Sequence, residues 1–155
     1  MQFSLSWHWI FGKNLLPKQL YSILSLRQEI FVVEQNCPYQ DADGRDFDCF
    51  HLLGLSLDDE LITYARIFPP KVMTKDEKLI FIGRVVVKQE YRGLQLGYQL
   101  MKKAEEYAIR EFQFAHFALH AQAHLQRFYG QVGYQTHGYP FDEDGIPHVL
   151  MKKYG

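Results

Sequence analysis

Val85-Val86-Val87-Lys88-Gln89-Glu90-Tyr91-Arg92-Gly93-Leu94-Gln95-Leu96-Gly97 is the stretch whose reading decides the fold. Three consecutive valines are too apolar for a strand edge open to water, so they belong to a central strand covered on both faces. After Gly97, the residues Leu100, Met101, Ala104, Tyr107 and Ala108 recur at helical spacing, and the helix ends near Phe112. A strand that passes through a glycine turn into a helix start aims backbone N–H groups outward. Such a start carries about half a positive charge and up to four donors without intrahelical partners, which suits a phosphate or pyrophosphate. Gly93 and Gly97 would let an anion approach the main chain, and Arg92 could add a charge-assisted contact. The alternative is a tight turn whose glycines serve only helix–sheet packing, because the spacing is neither the dinucleotide GxGxxG nor the triphosphate GxxxxGKS/T pattern.

Working outward, Phe3, Leu5, Trp7 and Trp9 alternate with polar residues, as in a strand with one buried face. From Pro17, Leu20, Ile23, Leu24, Arg27, Ile30 and Phe31 recur at three and four, giving a helix of about four turns. A long loop follows through Asn36, Pro38 and the acidic run Asp41–Asp48. Residues 51–57 and 61–68 flank Asp58-Asp59-Glu60 as a hairpin, and Pro69-Pro70 ends its second strand. Phe117–Ala121 is a short buried strand, and Leu125, Phe128, Tyr129 and Val132 mark a short helix stopped at Gly133. Tyr134–Phe141 and His148–Lys152 pair across Asp142–Gly145. The expected fold is α/β with a mixed, mostly antiparallel sheet and helices on both faces.

The 155 residues suit one domain, 1–155, large enough to fold without staples. A net charge of −1 gives no field for wrapping nucleic acid or adhering to anionic lipid, so neither is an expected partner. Cys37 and Cys49 stand 12 apart, outside any CxxC spacing, and read as reduced thiols. No leader pattern and no long apolar run is present, which points to a cytoplasmic protein. The acidic run lacks the DxDxDG register of a calcium loop, and His116, His120 and His124 do not share one helix, so no metal is expected.

A second passage sharpens the first. Gln122 and Gln126 fall near Tyr129 on one helical face within Gln122–Tyr134. Together the two passages resemble the GCN5-related N-acetyltransferase superfamily, whose loop pattern is R/Q-x-x-G-x-G/A and whose later helix carries FYxxxGF. Arg92 and Gly97 match the ends of the loop, Gln95 replaces its middle glycine, Gln122 takes the usual Asn place, and Phe128–Tyr134 matches the helix with Tyr for the last Phe. Within the superfamily the chain is similar to the ElaA family through residues 31–39, Ala65-Arg66-Ile67, residues 82–87, 121–126 and 143–148.

The resemblance implies acetyl-coenzyme A as cosubstrate in a splayed gap between the Val85–Val87 and Phe117–Ala121 strands. The main chain of Val85, Val86 and Val87 would pair with the pantetheine arm and polarise the thioester carbonyl. Arg92, Gly93, Leu94, Gln95, Leu96 and Gly97 would cradle the phosphates, with Gln122, Leu125 and Tyr129 on the far wall. Tyr129 would reprotonate the departing thiolate, since a phenol near pKa 10 keeps its proton at neutral pH.

An amine acceptor must lose a proton before attack. Glu34 is the first choice of base, because desolvation beside an apolar gap favours proton uptake by a carboxylate; His124 and His51 follow. Arg66 and Arg84, in apolar strands, need a carboxylate partner or bind the acceptor. With Glu34, His51, Asp144 and His148 they complete the expected acceptor site, and the acidic loops would steer a cation to it. The expected reaction is acetyl transfer to a small-molecule or peptide primary amine by direct attack in a ternary complex. A homodimer is compatible with this, and the alternative function is a catalytically silent acyl-CoA sensor or interaction module.

Overall fold

The computed structural model describes residues 4–155, so the expected strand start at Gln2 and Phe3 lies outside the described residues. The alternating run that follows forms β1 (Ser6–Phe11), and Pro17 opens α1 (Pro17–Arg27). The helix does not end at Arg27 but widens into a π-helical segment, Gln28–Glu34, which buries Ile30 and leaves Glu34 at its end. The hairpin around Asp58–Glu60 consists of β2 (Phe50–Leu55) and β3 (Leu61–Phe68). The valine strand is β4 (Ile80–Val87), followed by α2 (Leu96–Phe112), β5 (His116–Gln122) and α3 (Gln126–Gln131). β6 (Gln135–Glu143) and β7 (Ile146–Tyr154) close the chain. The seven strands form one sheet in the order β1-β2-β3-β4-β5-β7-β6, antiparallel throughout except where β4 meets β5. β4 is therefore central, as its composition requires.

Strand alternation sorts the core by face. Leu52, Ala65, Ile67, Ile80 and Ile82 pack with Leu100, Met101, Ala104 and Ala108 of α2. Their sequence neighbours Leu53 and Tyr64 pack instead with Ile23, Leu26 and Ile30. One face is thus covered by α2 and the other by α1 with its π-helical extension. Each fully buried aliphatic side chain contributes about 1.5–3 kcal/mol. Among the described residues no helix is long and apolar enough to cross a membrane.

β4 breaks the alternation once. Tyr64 pairs with Val86 and Arg66 with Gly83, so three steps on β4 oppose two on β3, and Arg84 sits within this bulge at φ 50°. An extra residue flips every side chain beyond it. Ile80 and Ile82 accordingly face α2, whereas Val86 packs on the α1 side. β4 also parts from β5: their pairing covers Ile80 with Phe117 and Phe81 with Ala118, and goes no further.

The loop between the π-helical segment and β2 is held against the end of β1. The Gly12 N–H donates to the Cys49 carbonyl at 2.8 Å. A Cβ on Gly12 would lie 2.0 Å from the Asp46 carbonyl oxygen and 2.7 Å from the Phe47 Cα. Backbone cannot yield as a flexible side chain can, so Gly12→Ala is expected to lower stability by about 1–3 kcal/mol, the range of overpacking. A urea titration with an unchanged midpoint would contradict that packing.

Candidate active site

The divergence of β4 and β5 opens a cleft of about 920 Å³. Ile82–Val87 form one wall, Leu119, His120 and Gln122 the other, and Leu125, Phe128 and Tyr129 stand beyond the end of β5. A smaller groove of about 260 Å³, lined by Val87, Arg92, Gly93, Gln95, Leu96, Gly97, Tyr98 and Phe128, lies at the start of α2. Gly93 has φ +85°, and a Cβ there would meet nothing within 4 Å, so the turn is open on that side. Gln95 precedes α2 at φ 60° with no side-chain capping bond. The first-turn amides of α2 are therefore left to an outside acceptor, and the groove fits a phosphate-bearing ligand.

Arg92 borders both spaces, but it is not free: its Nε donates to the Val87 carbonyl at 3.1 Å, and its guanidinium lies 2.9 Å from the Glu34 carboxylate. Glu34, the first choice of base, borders the cleft and is ion-paired with Arg92 at the phosphate end. Leu94 is a correction: it is 46% exposed and borders neither cleft nor groove. Gln122 does line the cleft, where it exchanges hydrogen bonds of 3.2 and 3.3 Å with Gln35, a residue for which the sequence offered no signal. His124 lines the cleft from an exposed position.

Tyr129 reaches the cleft from the face covered by α2 and α3. Among the described residues its hydroxyl has no protein hydrogen-bond partner. Burial raises its pKa well above the ordinary phenol value, so the proton is retained at neutral pH. A phenol that faces a cleft, stays protonated and donates to no protein group is equipped to give a proton to a bound molecule.

The opposite end is built by charges. Arg27, fully buried, donates to the Asp41 carboxylate at 2.8 Å, to the Asp41 carbonyl at 2.9 Å and to Asp46 at 2.7 Å. Arg66 holds Asp43 at 2.6 and 2.9 Å and Asp46 at 3.1 Å, while Arg84 holds Asp41 at 2.7 Å. Tyr39 also donates to Asp41, at 3.0 Å. Burial opposes ionisation of Asp46, yet the hydrogen bond and charge of Arg27, with Arg66, hold its carboxyl below the ordinary range. Asp43 is lowered likewise by Arg66 against its own burial. Both arginines border the cleft and are paired with loop carboxylates, the first of the two alternatives open for them, although the Arg66 Nε has no hydrogen-bond partner. The acidic run Asp41–Asp48 is corrected too, because three of its carboxylates neutralise three arginines instead of steering a cation.

His51 is a further correction. It is fully buried between Tyr64, 2.6 Å from Nδ1, and the Asp46 carbonyl, 2.7 Å from Nε2, and it does not border the cleft. A carbonyl only accepts, so Nε2 carries the proton and Nδ1 accepts from the tyrosine; no lone pair is left for a substrate. Asp46, Cys49 and His51 cluster closely, but with both imidazole nitrogens engaged and two guanidiniums on the carboxylate they are not equipped to ligate a cation. Cys37 and Cys49 are both free and buried; Cys37 borders the cleft and donates to the Asp144 carbonyl at 3.3 Å, which ties the acidic turn of β6 and β7 to the π-helical segment. His148 and Asp144 do border the cleft, together with Glu143, which the sequence reading treated only as part of a loop. Its place two residues beyond Phe141 in a strand was the available signal.

Asp46→Asn leaves Arg27 undercompensated in the interior and is expected to cost about 3–5 kcal/mol at pH 7 in chemical denaturation. Its carboxyl is lowered in the folded protein, so this stabilisation exists above the unfolded value of 3.8 and is lost as the pH falls below it. Burial lowers the His51 pKa from 6.5, so below about pH 6.5 the unfolded chain binds a proton that the folded protein refuses. Stability should therefore fall with decreasing pH from there, and His51→Gln should flatten that slope by up to about 1.4 kcal/mol per pH unit. An unchanged slope would show that His51 titrates in the folded protein as it does in water.

Comparison with known proteins agrees with this geometry. Residues 48–154 match the family described as acetyltransferase (GNAT) domain. Protein ElaA of Escherichia coli strain K12 is 42% identical over 153 residues, covering 96% of each chain. The crystal structure of an acyl-CoA N-acyltransferase from Pseudomonas aeruginosa superposes with a TM-score of 0.88 at 41% identity, over 97% of this chain and 99% of that one. The crystal structure of Escherichia coli ElaA superposes with a TM-score of 0.85 at 41% identity, over 96% and 99%.

Proposed function

Because this chain belongs to the GNAT family of acetyltransferases, in its ElaA branch, we propose that it moves the acetyl group of acetyl-coenzyme A to a primary amine by direct attack in a ternary complex. The observation that carries the reading is the cleft between β4 and β5, with an uncapped helix start at one end and an unpartnered phenol on its wall. Acetyl-coenzyme A joins its phosphates to a thioester through a long flexible arm. The first-turn amides of α2 and the turn at Gly93 suit the phosphates, with Arg92 exchanging Glu34 for them. Beyond Phe81, β4 has no strand on its β5 side, so the main chain of Val85–Val87 is available to pair with the amide-bearing arm. The thioester carbonyl then lies against backbone N–H groups in a narrow gap, where such donors act most strongly on developing negative charge.

Attack of the neutral amine forms the C–N bond and breaks the C–S bond. Tyr129 gives its proton to the departing thiolate; because the thiol's reference pKa of about 8.5 lies below that of a buried phenol, the transfer runs forward only when coupled to proton uptake by Tyr129 from the cationic nitrogen of the adduct. Tyr129 is restored by the proton that the amide nitrogen sheds. No acetyl-enzyme is required, and Cys37 keeps its thiol on the Asp144 carbonyl.

The test is thiol release from acetyl-coenzyme A with a panel of polyamines, amino acids, aminoglycosides and peptides. Tyr129→Phe should lower turnover by about 10²–10⁴-fold with coenzyme affinity nearly unchanged, the range of a lost general acid. Undiminished turnover would remove Tyr129 from the chemistry. Tight coenzyme binding without release for any member of the panel would mark the chain as an acyl-CoA sensor.

A further inference from the structure

The cleft contains a second group of titratable side chains that the phosphate and thioester sites do not use: Glu143, His148 and His120. Strand register brings them together. His148 of β7 pairs with Phe141 of β6 on one side and with Gln122 of β5 on the other. Glu143 lies two residues after Phe141 and His120 two before Gln122, so all three project from the same face of the sheet. That face is the one shared with Phe81 and Leu150, opposite the face from which Tyr129 enters.

The hydrogen bonds fix what this group can do. His148 Nδ1 lies 2.7 Å from the Ile146 carbonyl, which can only accept, so Nδ1 carries a proton. In neutral imidazole the lone pair is then on Nε2, and Nε2 lies 3.3 Å from the Glu143 carboxylate. Two acceptors face each other at that distance and leave place for one proton between them. The other carboxylate oxygen is 3.6 Å from His120 Nδ1. Phe141 stacks on His148 at 6.1 Å and meets His120 edge-on at 5.1 Å, so both imidazoles are held in place. His120, above all, holds the Glu143 carboxyl below its ordinary value against partial burial, and Arg84 and a protonated His148 add attraction.

Resting on the acyl-transfer reading above, we infer that His148 Nε2, held by Glu143, is the proton acceptor for the amine, and that this pair selects the cationic ammonium form of the acceptor at the mouth of the cleft. The ammonium group hydrogen-bonds to Glu143 and gives one proton to His148 Nε2. The resulting imidazolium is paired with the carboxylate, and the amine nitrogen is left with a free electron pair for the thioester carbon. The second nitrogen proton leaves after C–N bond formation, by way of Tyr129, and ends on sulfur. The first passes from His148 to solvent through Glu143 and His120, both partly exposed. The charged groups on the surrounding elements are Arg84 on β4, His120 on β5 and Asp144 in the β6–β7 turn. His148 takes the proton, and Glu143 touches the ammonium group and passes the proton on toward solvent.

The experiment measures thiol release from acetyl-coenzyme A by the full chain, with butylamine, spermidine and a lysine-containing peptide as probes, from pH 6 to pH 10. In the wild type kcat/KM should stay high at neutral pH. His148→Gln and Glu143→Gln should lower it by about 10²-fold or more at pH 7, the variant amide at 143 donating to Nε2 and occupying its lone pair. The variants must then use amine already neutral in bulk water, so their rates should climb about tenfold per pH unit toward the amine's own pKa of about 10.4. Glu143→Asp should restore the wild-type profile, and coenzyme affinity should hold in all three. A deficit that is the same at every pH, or none at all, overturns the role while leaving acyl transfer standing. If His148→Gln does not fold, the Glu143 pair decides the matter by the same criterion. Absence of release by the wild type with every probe overturns the acyl-transfer reading and this role together.

Discussion

The molecule depends on the separation of two adjacent parallel strands. β4 and β5 pair over two residues each and then part, which leaves a row of backbone donors and acceptors in the middle of a sheet without strand partners. Such groups are costly to bury unpaired and are rarely left so in an interior. Here they face a cleft instead, and the sheet holds on its flanks through long antiparallel pairings of β4 with β3 and β5 with β7. The bulge at Arg84 contributes to the same result. It turns Val86 toward α1 and its neighbours toward the opening, and it aims the Arg84 guanidinium back at Asp41.

A sheet opened in this way needs something to hold its far end in register. The Arg27–Arg66–Arg84 and Asp41–Asp43–Asp46 network joins a helix, two central strands and the loop that follows the π-helical segment. Burying Arg27, Arg66, Asp41 and Asp46 would be prohibitive if any stood alone, because an unpaired ion loses several kcal/mol of hydration. The net stabilisation of a completed network is modest, but the cost of breaking it is large. This asymmetry makes it a device for fixing one loop geometry, and the loop so fixed carries Tyr39 and Asp43 to the cleft.

The two sides of the cleft then divide the chemistry. In the proposed reaction, helix-start amides and a glycine turn would meet phosphate at one end, and imidazoles with a carboxylate would face an ammonium group at the other. On that proposal, proton delivery to sulfur would come from the α2 face of the sheet, and the first proton of the ammonium group would be taken on the other. The same rule of hydrogen-bond direction separates two histidines of opposite character. His51 has both nitrogens spent and is structural, whereas His148 has one nitrogen spent on a carbonyl and the other 3.3 Å from the Glu143 carboxylate.

Local pattern alone determined a good deal. The triple valine, the glycine turn and the helical stripe from Leu100 to Ala108 specify a central strand, an anion-ready helix start and a buried helix, because periodicity and backbone freedom are properties of neighbours in sequence. The hairpins were legible for the same reason, whereas Tyr129 was singled out by the family resemblance. What only the tertiary structure decided is which distant side chains share their charges and protons. Arg66 and Arg84 needed carboxylates, but that Asp41, Asp43 and Asp46 supply them depends on a loop folding back across the sheet. Glu34 met Arg92 because a helix ended in a π-helical turn, and Glu143 met His148 because strand register placed them on one face. Pairing across a fold is set by packing and by the large penalty on unpaired buried charge, and neither quantity is written in the spacing of residues along a chain.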